Sequence, residues 1–121
     1  MLAKTNRITR GIDYRSVSRR GQRAAGPHLV THIVFTDEPR GPRFGFIVSK
    51  AVGNAVVRNT VRRRLKAICA EALPDVHQGA DIVIRALASS AGADFAELRA
   101  QVRRSLRKRG AMSSAAAEPA A

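Results

Sequence analysis

The sequence predicts a single α/β sandwich whose elements run helix, strands, helix, strand, helix. Three observations carry that expectation. Runs rich in Val, Ile and Thr at 28–35 and 80–86 have the composition of strands, and a shorter run with two phenylalanines follows at 44–48. Residues 55–73 contain neither Gly nor Pro, which is room for about five turns of helix. Near the other end, Phe95, Leu98, Val102 and Leu106 recur at helical spacing. The 121 residues suffice for one domain with one modest core.

In chain order, residues 1–8, with Lys4 and Arg7, read as a mobile basic arm. Thr9 is placed to cap a short helix reaching about Arg19, with Ile12 and Val17 as core contacts and Tyr14 facing a surface groove. Residues 21–27 form a connection containing Gly and Pro, with room for a brief strand. In the strand that follows, alternation puts His28, Val30, His32 and Val34 on one face and Leu29, Thr31, Ile33 and Phe35 on the other. The loop TDEPRGPR (36–43) leads to the strand at 44–48, expected to return as a hairpin partner of 28–35. β-Branched residues flank Val83 and place 80–86 centrally in the sheet. Asp94 and Glu97 have the spacing of a capping box for the last helix. Residues 110–121, GAMSSAAAEPAA, hold little bulk to bury and read as a disordered tail, so the domain spans 9–109.

The long helical run organises the chain. Gly53-Asn54 reads as a turn followed by an N-cap, and Pro74 stops the run. At about 100° per residue, Val57, Val61, Leu65, Ile68 and Ala72 fall within about 40° of Val61 and form the buried stripe. Asn59, Arg62, Arg63 and Lys66 gather on the far side, and Arg58 and Arg64 flank the stripe. Most charge runs are solvated helix faces. Here five cations fall between Arg58 and Lys66, and the nearest carboxylate in sequence is Glu71. Like charges at i,i+4, such as Arg58 with Arg62, destabilise an isolated helix. The pattern therefore calls for compensation from outside, and a polyanion supplies it.

Composition points the same way. Lys and Arg total 22 against 9 Asp and Glu, a formal charge of +13, which attracts nucleic acid. No apolar run approaches a membrane span, and the N-terminus lacks the apolar stretch of a signal peptide, so a cytoplasmic chain without a membrane role is expected. Cys69 has no partner for an internal disulfide and sits beside the apolar stripe, where a small buried hydrophobe is expected. No catalytic constellation stands out. The carboxylates are scattered, and the one adjacent pair, Asp37-Glu38, lies in a proline-containing loop where a solvated turn is expected. His28 and His32 are four apart on a strand, roughly 13 Å, too far to share a metal. His77 has no partner in sequence reach, and no phosphate-cradling glycine loop appears. Aromatics are few, with no RNP-type motif. These features disfavour a free-standing nuclease and favour an RNA binder, for which a structural, ribosomal-type protein is one reading.

The stretch KAVGNAVVRNTVRRRLK (50–66) resembles the signature of the bacterial ribonuclease P protein subunit, through Gly53, Asn54, Ala55, Arg58, Asn59, Arg62, Arg63 and Lys66. The resemblance extends more weakly from about Arg7 to about Lys108. It implies a mostly antiparallel sheet of about four strands packed with the long basic helix, in the order α-β-β-β-α-β-α, with a left-handed crossover through that helix. It also implies a ribonucleoprotein that removes the 5′ leader from precursor tRNA, with the active site and its Mg²⁺ ions held mainly by the RNA subunit and no catalytic residue on the protein. The implied contacts to the RNA subunit are Lys50, Asn54, Arg58, Asn59, Arg62, Arg63 and Lys66; the competing role for Arg58 and Asn59 is to brace the turn before the helix. The implied leader contacts are Tyr14 and His32. His32 and Ser18 stand where the family usually carries aromatics. The resemblance leaves metal ligands on the protein itself open.

Overall fold

The computed structural model describes residues 2–112. Helix α1 (Gly11–Arg20) precedes strands β1 (Gln22–Ala25), β2 (Leu29–Phe35) and β3 (Arg43–Ile47). Helix α2 (Ala55–Ala72), strand β4 (Ala80–Ala86) and helix α3 (Phe95–Lys108) complete the domain. This is the expected α/β order, and the brief strand expected in 21–27 is β1. The sheet order is β1-β2-β4-β3. Pairings β1–β2 and β2–β4 are antiparallel, and β3–β4 is parallel.

That order corrects the hairpin expected between β2 and β3, because β4 inserts between them. The reason lies in β4 itself. Ile82, Val83 and Ile84 are all fully buried, so apolar side chains leave both faces of the strand. Only a central strand covered on both sides accepts such a run. The loop 36–42 spans the inserted strand instead of making a tight turn. It is fastened to the start of β4, where Thr36 N–H and Oγ1 both donate to Gly79 O and Gly79 N–H donates to Arg40 O. Gly79 has φ +80°, and a Cβ there would lie 2.5 Å from Thr36 O. Only glycine combines that backbone with that contact.

Helices α2 and α3 cover one face of the sheet, and α1 covers the other. The larger core joins Leu29, Ile33, Phe44, Ile82 and Ile84 of the sheet to Val61, Leu65 and Ile68 of α2 and Leu98, Val102 and Leu106 of α3. Burying each such side chain contributes about 1.5–3 kcal/mol. Cys69 is buried among them, and burial pushes its thiol well above the ordinary value. The smaller core joins Ile8, Val17 and Val83, with Tyr14, Val34 and Ile47 against it.

Several local expectations need correction. Helix α1 is capped at Arg10 rather than at the expected Thr9, and Arg10 makes no side-chain capping bond. Val17 is buried, but Ile12 is 57% exposed, since α1 turns one narrow face to the sheet. Phe95 lies at the rim of the apolar stripe of α3 and is 39% exposed. Residues 2–8 are not a free arm. Leu2 and Ile8 are buried, and Ile8 N–H donates to Phe44 O along the outer edge of β3. At the other end Ala111 and Met112 are buried and Met112 bridges Val76, so packing extends past residue 109. The rest of the expected tail, 113–121, lies outside the described residues.

One ion-pair cluster fastens β3 to β4. Asp81 on β4 is 6% exposed and accepts from Arg43 Nε and Nη2 at 2.9 Å, and from Arg40 Nη2 at 3.1 Å. Burial alone would raise its pKa. The hydrogen bonds and charges of Arg43 and Arg40 outweigh that and hold the carboxyl below its ordinary value. A carboxyl depressed in the folded state stabilises it above the ordinary pKa, and loses that contribution as pH falls through the lowered one. Asp81→Asn should therefore destabilise the domain at neutral pH by about 3–5 kcal/mol, because two arginines lose a largely buried counter-charge. Urea melts at pH 7 and pH 3 check this, and the gap between wild type and variant should shrink at the lower pH.

Candidate nucleic-acid interface

Helix α2 presents its cations as a built surface. Asn54 is the N-cap, accepting from Val57 N–H at 3.0 Å. The signature glycine before it has a steric cause: a Cβ at Gly53 would lie 2.8 Å from Val57 Cγ1. Arg58 Nε donates to Gly53 O at 3.2 Å and so braces the turn. Asn59 does not brace it; its Oδ1 accepts from Arg62 Nη1 at 3.0 Å on the exposed face. Lys50 is exposed in the turn that leads to the helix. Asn59, Arg62, Arg63 and Lys66 line one continuous depression along α2 with Ala67.

Among the described residues, no carboxylate lies within 4.0 Å of Arg58, Arg62, Arg63 or Lys66. Most of the other described acids are engaged elsewhere. Glu71 pairs with Arg99 and Arg103 of α3, Asp75 with Arg103, and Glu38 and Asp81 with Arg40. Arg64 donates to Ala93 O, toward the start of α3, and belongs to the scaffold.

Tyr14 sits where that face meets the sheet. Its ring lies on Gly45, where a Cβ would come within 2.5 Å of Tyr14 Cε1, and its hydroxyl accepts from Phe46 N–H at 3.2 Å. A groove of about 220 Å³ runs past it, lined also by Arg7, Phe44, Phe46, Arg62 and Lys66. The structure therefore joins Tyr14 to Arg62 and Lys66 in one groove. His32 is outside that groove. It shares the register row Arg23–His32–Val83–Gly45, so it lies on the same face of the sheet as Tyr14, with β4 between them. Burial first, then Arg85 and Arg23, lower its pKa, and the ring is neutral at pH 7. Its Nδ1 is buried without a hydrogen-bond partner. Ser18 is half-buried on α1.

Sequence reading missed Arg7 as a groove residue. Only the docking of residues 7–8 on β3 reveals it, and no local pattern carries that signal. It also missed a contact that brings Ser89, His28 and Glu97 together. Ser89 Oγ is 2.7 Å from His28 Nδ1, and His28 Nε2 is 3.4 Å from Glu97 Oε2. This is a tie between elements rather than a nucleophile, because Ser89 donates its proton to Pro27 O, away from the histidine.

Comparison with known proteins decides the family. The family model described as ribonuclease P matches residues 2–110. The chain belongs to the ribonuclease P protein family. It is 45% identical to the ribonuclease P protein component of Acidothermus cellulolyticus over 107 residues, covering 88% of this chain and 89% of that one. It is 52% identical to that of Clavibacter michiganensis over 87 residues, covering 72% and 77%. Among solved structures, the Staphylococcus aureus RNase P protein aligns with a TM-score of 0.82 at 22% identity, covering 91% of this chain and 100% of that chain. The RNase P protein from Thermotoga maritima aligns at 0.75 and 20% identity, covering 84% and 96%. These two likenesses show the shared fold. A ribonuclease P protein component is part of an endoribonuclease complex and has an RNA partner. Among the described residues, no helix is long and apolar enough to cross a membrane.

The two asparagines of the signature should separate by assay. Asn54→Ala removes the cap and should cost about 1 kcal/mol of stability. Asn59→Ala should leave the thermal midpoint within a degree or so of wild type, since its partner Arg62 remains solvated. Equal melting losses for both would contradict the division of roles.

Proposed function

We propose that the chain, as the protein component of ribonuclease P, helps a catalytic RNA subunit remove the 5′ leader from precursor tRNA in the cytoplasm. The observation that carries this reading is the row Asn59, Arg62, Arg63 and Lys66, which has no carboxylate within 4.0 Å among the described residues and opens beside the groove of Tyr14. Guanidinium groups offer forked donors to phosphate, and a helix face at i, i+3, i+4, i+7 follows one stretch of backbone. Asn59 holds Arg62 in place before any RNA arrives, which lowers the ordering cost of binding. Arg58 contributes mainly by fixing the turn, and Lys50 and Asn54 frame the entrance to the helix.

The groove suits single-stranded leader. Tyr14 supplies a ring on which a base can stack, and Arg62 and Lys66 stand within reach of its phosphates. His32, neutral and on the same sheet face, can stack but adds no charge. Catalysis falls to the RNA partner. Among the described residues no group of three or more His, Cys, Asp or Glu side chains could hold a metal ion, and the most buried carboxylate, Asp81, is held by two arginines. This scarcity of clustered ligands supports the reading in which Mg²⁺ is held mainly by the RNA subunit.

Replacing Arg62 and Arg63 together with Ala should weaken binding to the RNA subunit. The slope of log affinity against log salt should flatten by up to about one unit for each phosphate that is no longer neutralised. An unchanged slope in a folded variant would remove α2 from the interface. Tyr14→Ala should weaken the holoenzyme's binding of precursor tRNA by about 1–3 kcal/mol while leaving mature tRNA unaffected. Equal losses for the two tRNAs would show that Tyr14 does not read the leader.

A further inference from the structure

A second cationic pocket lies beside the groove of Tyr14. It holds about 420 Å³ and is lined by Lys4, Thr5, Asn6, Arg7, Thr9, Arg40, Gly41 and Arg43. Two segments distant in sequence build it. Residues Lys4–Asn6 form a 3-10 turn, and Asn6 Nδ2 donates to Pro42 O at 2.9 Å, tying that turn to the β2–β3 loop. A Cβ at Gly41 would lie 3.0 Å from Asn6 Nδ2, so the two walls are in close contact.

The charges within it are unequal. Arg40 and Arg43 are engaged by Asp81, and Arg40 also by Glu38, while Asp13 lies 4.0 Å from Arg43. No carboxylate lies within 4.0 Å of Lys4 or Arg7 among the described residues. Arg7 Nε is buried and has no acceptor. An anion seated in the pocket meets ammonium and guanidinium groups, whose charge-assisted hydrogen bonds are the strong ones. Thr5 and Thr9 add hydroxyl donors on the rim. Arg7 also lines the groove of Tyr14, so the two sites share a wall.

We infer that this pocket holds a backbone phosphate of RNA, gripped by Lys4 and Arg7, next to the strand that passes Tyr14. The inference rests on the reading of the chain as an RNA-holding component of ribonuclease P. The phosphate comes from the leader or from the RNA subunit, and the two sources separate experimentally.

The test uses holoenzyme reconstituted with the RNA subunit and protein carrying Lys4→Glu or Arg7→Gln. Each is titrated across salt with precursor tRNA bearing a long leader and with precursor bearing a single-nucleotide leader. Affinity of each variant protein for the RNA subunit is measured alongside. Several-fold weaker binding of the long-leader precursor alone, with a salt slope lower by about one, identifies the leader phosphate. The same weakening toward the RNA subunit, independent of leader length, identifies the RNA subunit. Either result supports the pocket. Wild-type affinities and slopes in both assays overturn it. Lys4 is exposed, so Lys4→Glu decides the matter even if Arg7→Gln fails to fold. Arg62→Ala/Arg63→Ala protein is run in parallel. Weakened binding there with none in the pocket variants removes the pocket and leaves the broader function standing, whereas full binding in both removes both.

Discussion

Strand β4 has apolar side chains on both faces, and the rest of the domain is arranged around covering them. Ile82 and Ile84 face α2 and α3, and Val83 faces Ile8 and Val17. Placing β4 in the centre forces β3 outward to an edge and makes the β3–β4 pairing parallel. A parallel neighbour needs a crossover, and α2 is that crossover. The long helix is therefore where it is because β4 must be covered. Its buried stripe serves the core, and its remaining surface is free to carry charge.

The same fold sorts the acids from the bases. The carboxylates inside the described region mostly tie elements together: Asp81 joins β4 to β3 and its loop, Glu71 and Asp75 join α2 to α3, and Glu97 closes the capping box. None of them reaches the cationic row of α2. A chain of formal charge +13 repels itself. In the proposed function, the uncompensated part of that charge, concentrated beside an aromatic groove, attracts RNA backbone.

Much of this was legible in the sequence where the signal is local. The cap at Asn54, the stripe from Val61 to Ala72, the capping box at Asp94 and the burial of Cys69 follow from patterns within a few residues. The centrality of β4 was also legible, from the β-branched residues around Val83. The hairpin expectation conflicted with it, because turn-length reasoning treats neighbours in sequence as neighbours in the sheet. A loop of seven residues can as well step over a strand that arrives later. Residues 2–8 escaped for a related reason: their anchor, the free edge of β3, exists only once the sheet has formed. In the candidate site, the α2 face could be read from helical spacing, whereas the share of Arg7 in two adjoining cavities could not.

The contact of the Tyr14 hydroxyl with Phe46 N–H has a consequence for solubility. An open edge strand is a template for adding another chain's strand. On β3 the edge is closed by Ile8 at Phe44 and by Tyr14 at Phe46. In the free protein, like charge also keeps copies apart. Where a bound RNA neutralises that charge, the repulsion weakens. The covered edge then keeps neighbouring copies from annealing into extended sheets. The aromatic side chain proposed to meet a nucleotide thus also closes the sheet edge against self-association.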